Sequence, residues 1–73
     1  MSIRKTIDYI YEMELGDLID VIHSPDFKIE LYLNDNYIAA YDNPRWNIPI
    51  MYFSMVISQI EMGNGGLIVY LKD

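Results

Sequence analysis

Residues 49–62, PIMYFSMVISQIEM, take in most of the chain's most apolar run, residues 48–57, and their reading decides the fold. Their polar side chains Ser54, Ser58 and Glu61 fall four and three residues apart. That spacing draws one narrow polar stripe along a helix whose other sides are apolar. Asn47 stands where a cap is wanted, Pro49 suits a first turn, and Gly63 can end the element. The spacing predicts a long, largely buried helix.

Upstream, Phe27, Ile29, Leu31 and Leu33 alternate with Lys28, Glu30 and Tyr32, the pattern of a half-buried strand. Asn34, Asp35 and Asn36 tolerate positive φ and make a tight turn, so residues 37–41 return antiparallel as a β-hairpin. Downstream, Gly63, Asn64, Gly65 and Gly66 read as a helix cap and turn, and residues 67–72 as a strand.

Nearer the start, Ile3, Ile7, Ile10 and Tyr11 suit one face of a helix over residues 3–13 capped by Ser2. Alternation of Ile7, Tyr9, Tyr11 and Met13 offers a strand instead. Asp17 reads as the N-cap of a short helical piece carrying Leu18, Ile19 and Ile22, which stops before Ser24 and Pro25. The expected order is α(α)ββαβ. Residues 1–73 would form a single small acidic α+β domain, a three-stranded sheet with a β-hairpin and a long helix packed on one face.

A chain of 73 residues buries a modest share of its surface. It has no cysteine and one histidine, so neither disulfides nor a metal centre is expected to help, and no cofactor is expected. The 52% hydrophobic content must carry the fold. Absence of cysteine fits a reducing compartment. No signal-like run is seen in residues 1–15, and no stretch approaches the roughly 20 apolar residues of a membrane span. From Met1 onward the chain is expected to be a complete cytoplasmic protein.

Eleven acids against five bases give a net charge of −6. Such a field repels phosphate backbones and anionic membranes, so direct nucleic-acid or membrane binding is not expected. A protein with a basic surface is the expected partner.

Two candidate surfaces follow. The first is an acidic run, Asp8, Glu12, Glu14, Asp17 and Asp20, continued by Asp26 and Glu30. Arg4 and Lys5 would open the first helix and Glu12 and Glu14 close it, against the helix dipole. The plain alternative is a solvated face that keeps the protein soluble. The second surface is aromatic. Tyr32, Tyr37, Tyr41 and Tyr70 are expected on the open side of the sheet, where tyrosine suits interfaces. The alternative is that they pack as a second apolar layer. Trp46, beside Pro44 and Arg45, is either an exposed anchor or a lid on the core.

Catalytic constellations are missing. His23 has no thiol or second histidine beside it and reads as a turn residue. No glycine-rich phosphate loop is present, and the Asn34–Asn36 turn lacks the glycine and glutamate of a calcium-binding loop. The expectation is a binding protein, not an enzyme. Its size, acidity and lack of catalytic groups resemble the small acidic proteins carried by phages and mobile elements. Many of these block host defence nucleases, CRISPR effectors included, by occupying a basic nucleic-acid site. The likeness implies an inhibitor of anti-CRISPR or other anti-defence type acting as a DNA mimic in the host cytoplasm. The competing expectation is a self-associating assembly module such as a homodimer, or an immunity or antitoxin protein.

Overall fold

A computed structural model describes residues 13–22, Ser24 and residues 26–73. The expected first helix, apart from Met13, lies outside the described residues with Asp8 and Glu12, as does the turn at His23 and Pro25.

Two hairpins build the sheet. In the first, β1 (Lys28–Leu33) and β2 (Asn36–Asp42) pair antiparallel across Asn34 and Asp35. Both turn residues have positive φ, 50° and 68°, as a two-residue hairpin turn with the right twist requires. In the second, β3 (Val56–Gly63) and β4 (Gly66–Lys72) pair antiparallel across Asn64 and Gly65, with Gly65 at φ 87°. β1 and β4 then join in parallel, residue for residue from Lys28–Gly66 to Leu33–Leu71. The result is a four-stranded mixed sheet of order β2-β1-β4-β3.

This corrects the expected three-stranded sheet with a long helix across it. Residues 49–62 contain no α-helix: Pro49 leads into a 3-10 turn, Ile50–Tyr52, and β3 starts at Val56. A β-bulge explains the misreading. Ser58 is inserted between Ile57, opposite Leu71, and Gln59, opposite Tyr70. One extra residue shifts the two-residue alternation by one and leaves like residues three apart, as in Ile57–Ile60 and Ser58–Glu61. That imitates helical spacing. The Asn64-Gly65 pair between two β-rich runs is a hairpin turn, not a helix cap.

A second bulge corrects the tyrosine layout. On β2, Ile38 is the inserted residue: Tyr37 faces Tyr32 and Ala39 faces Leu31. Tyr37 stays on the Tyr32 side, but Tyr41, opposite Ile29, falls on the core side and packs against the apolar cluster.

That cluster covers one face only. Ile29 and Leu31 of β1, Ile57 of β3, and Val69 and Leu71 of β4 are buried there, under Leu15 and Ile19 of helix α1 (Leu15–Val21) and under Ile48. Burying each such side chain is worth about 1.5–3 kcal/mol. The start of α1 is fastened to the start of β3. Met13 O accepts from Ile57 N at 2.8 Å, and Leu15 N and Gly16 N donate to the carbonyls of Met55 and Phe53 at 3.0 and 2.8 Å. A short helix α2 (Pro44–Asn47) follows β2, entered through Asn43 at φ 50°. Its Arg45 guanidinium donates to the Ile19 and Ile22 carbonyls at the end of α1, at 3.0 and 3.2 Å. Carbonyls at a helix C-terminus lack i+4 partners; Ile19 O also accepts from Ile22 N at 3.2 Å.

Gly66 sets the register of the parallel pair. A Cβ there would lie 1.9 Å from the Lys28 carbonyl oxygen, a backbone atom that no side-chain rotation can clear. We predict that Gly66→Ala destabilises the protein by about 2 kcal/mol or more, lowering Tm by roughly 10 °C in thermal denaturation. A Tm unchanged by this substitution would contradict the close approach of β1 and β4.

Candidate functional site: the tyrosine face of the sheet

The pairing that buries Leu31 against Val69 places their neighbours, Tyr32 and Tyr70, side by side on the opposite face. Successive strand residues point to opposite sides, so β1 and β4 carry Lys28, Glu30, Tyr32 and Ile68, Tyr70, Lys72 there. The described helices pack on the other side, through the core residues. Across the four strands run two cross-strand rows, Ala40–Glu30–Ile68–Glu61 and Tyr37–Tyr32–Tyr70–Gln59.

The tyrosine row is ordered by ring contacts. Tyr32 and Tyr70 stack with centroids 4.8 Å apart and planes at 26°. Tyr37 meets Tyr32 edge-on at 5.3 Å and 68°. Such pairs contribute about 0.5–1.5 kcal/mol beyond their area. Beside them, the Tyr70 hydroxyl donates to Glu61 Oε1 at 3.2 Å and the Gln59 amide donates to Glu61 Oε2 at 2.6 Å. The inserted Ser58 donates its hydroxyl to the Tyr70 carbonyl at 3.2 Å. Both bulges border this row, so each edge strand is kinked beside the tyrosines. Tyr37 is the most open of the three, with 54% of its surface exposed.

The predicted residues therefore separate. Tyr32, Tyr37 and Tyr70 come together, and Tyr41 does not join them. Glu14, Asp17 and Asp20 lie on α1, on the other side of the sheet. The expected clash with the helix dipole belongs to the helix over residues 3–13, which apart from Met13 lies outside the described residues. Glu14, not Asp17, is the N-cap, and Asp17 sits in the first turn, where the dipole favours a carboxylate. Glu14 N donates to Asp17 Oδ2 at 3.2 Å. Asp20 lies 3.9 Å from Arg45, a surface pair worth about 0–1 kcal/mol. Trp46, 82% exposed, borders a pocket of about 160 Å³ with Ile19, Ile22 and Pro44 at the end of α1.

Sequence reading missed Glu61 and Gln59 as part of the face, because both were assigned to a helix. The Asn64-Gly65 turn signal, had it been given more weight, would have turned residues 56–63 into a strand and brought them in.

Among the described residues no group of histidine and carboxylate side chains is placed to hold a metal ion, and no helix is long and apolar enough to cross a membrane. What the face offers is aromatic area, hydroxyls, the carboxylates of Glu30 and Glu61, and the ammonium groups of Lys28 and Lys72. No protein-family model, curated protein or solved structure matches this chain.

Desolvation, then the hydrogen bond and charge of Glu61, and then the charges of Tyr32 and Asp35, raise the Tyr70 pKa above its ordinary 10.0. The Tyr41 pKa is raised as well, first by burial and then by Tyr52 and Tyr37. A phenol held protonated by the fold stabilises it fully below pH 10, and that contribution is lost as pH rises through the raised pKa. An ultraviolet titration of Tyr70→Phe should therefore lack one late-ionising tyrosine. It should retain the late ionisation of Tyr41. Loss of an early-ionising group instead would contradict the Tyr70–Glu61 contact.

Proposed function

We propose that the protein acts by binding a basic surface on another protein through the tyrosine face of its sheet, not by catalysis. The observation that carries this reading is the Tyr37–Tyr32–Tyr70 row lying beside the Glu61 carboxylate, on the side that the described helices leave open. Tyrosine adds contact area with few rotors to freeze, and the carboxylates select a cationic partner. The net charge of −6 steers such a partner from a distance.

The narrower form of the proposal is an inhibitor of phage or mobile-element type, which occupies the nucleic-acid site of a host nuclease such as a CRISPR effector and competes with its substrate in the host cytoplasm. Its supports are the acidity and the likeness in size and charge. A second reading, self-association, is favoured by Ile60 and Met62 on the outer strand, 42% and 82% exposed. Sedimentation over a wide concentration range separates the two: a strict monomer removes the second.

The test begins with the partner captured from a host extract and purified. Tyr32→Ala and Tyr70→Ala should each weaken binding about tenfold or more, the size of an interface hot spot. Raising salt should slow association. Charge reversal at Glu14 and Asp17 should change the affinity much less. If the tyrosine variants bind like the parent while the α1 reversals abolish binding, the docking surface is the acidic helix and this reading fails.

A further inference from the structure

We infer that the sheet face receives an arginine side chain of its partner in the slot between Glu30 and Glu61, over Ile68. The inference rests on the reading of this face as the docking surface and names the group it selects.

Glu30, Ile68 and Glu61 are directly paired neighbours on β1, β4 and β3 and point to the same side. Adjacent strands lie about 4.8 Å apart, so the two glutamate backbones stand about 9.6 Å from each other with one apolar side chain between them. Ile68 is half-buried and forms the floor. The Tyr32–Tyr70 pair, one row along, forms a wall. Glu61 is already oriented by Tyr70 and Gln59, and a carboxylate has acceptor sites left after two such bonds. Among the described residues the only ion pair joins Arg45 to Asp20, so neither Glu30 nor Glu61 is neutralised there. Lys28 and Lys72 stand on the same face, two residues along from Glu30 and from Tyr70 and outside the Glu30–Ile68–Glu61 row.

A guanidinium matches this slot better than an ammonium. It is planar and weakly hydrated, so one flat side can rest on Ile68. Its N–H groups diverge in a rigid fork and can reach carboxylates on both sides, whereas an ammonium is compact and strongly hydrated.

The test uses the full chain, isotope-labelled for NMR, and two short capped peptides identical except for arginine or lysine. The arginine peptide should shift the Glu30, Ile68 and Glu61 amides and bind about tenfold tighter than the lysine peptide. Glu30→Gln and Glu61→Gln should each remove that preference while circular dichroism stays unchanged. Equal binding of the two peptides at this face would overturn the inference and leave the broader basic-partner reading standing. Absence of binding by either peptide, or shifts confined to α1, would overturn both.

Discussion

In-register parallel pairing of β1 with β4 is the constraint on which the rest of the molecule depends. Without it there are two separate hairpins, and an isolated hairpin is at best marginally stable in water. With it, Leu31 meets Val69 and Leu33 meets Leu71 on one face, giving α1 and Ile48 a continuous apolar floor. The same register puts Tyr32 against Tyr70 on the other face. Core and candidate site are thus two sides of one alignment, and a slip of one residue would exchange them. The close approach of Gly66 to the Lys28 carbonyl fixes one end. The other end is tied by Asn34, whose N–H donates to the Leu71 carbonyl at 3.0 Å and whose side-chain oxygen accepts from Asp73 N at 3.3 Å.

How far the sequence revealed this depended on where the strands are regular. β1 has no inserted residue, and its alternation from Lys28 to Leu33 was legible outright, as were the turn at Asn34 and Asp35 and the strand ending in Lys72. The edge strands each carry a bulge, and each bulge hid something. At Ile38 it moved Tyr41 to the core side while leaving Tyr37 outside. At Ser58 it replaced the strand period with three-residue spacings, which pattern counting assigns to a helix. The physical difficulty is that a bulge is specified by pairing with a neighbouring strand, and a linear pattern contains no neighbour. Propensity favoured strand all the same, through Val56, Ile57 and Ile60.

The acidic residues divide in a way composition alone did not show. Glu14 and Asp17 serve the N-terminus of α1, and Asp20 lies near Arg45, whose guanidinium also satisfies the opposite end of that helix. These carboxylates have work inside the fold. On the sheet, Glu61 is also held, by Tyr70 and Gln59, but in an arrangement that aims it outward beside aromatic rings. Two carboxylates of equal formal charge can therefore differ in what they offer a partner. The useful distinction is whether the internal bonds leave acceptor sites facing solvent.

Charge and aromatic area act at different stages of an encounter. Net charge is felt over a Debye length, about 8 Å at physiological salt, and raises the rate at which a basic surface arrives. It gives little hold once ions screen it. Ring contacts act only on touching, and most affinity differences between related complexes appear as dissociation rates. A small protein whose acids were all on α1 would associate quickly and release quickly. Joining Glu61 to the Tyr32–Tyr70 stack puts a steering charge and an anchoring surface on the same strands, so the orientation favoured on arrival is also the one that stays bound. Because both are set by the β1–β4 register, changes that loosen the sheet should weaken binding even where no contacting side chain is altered.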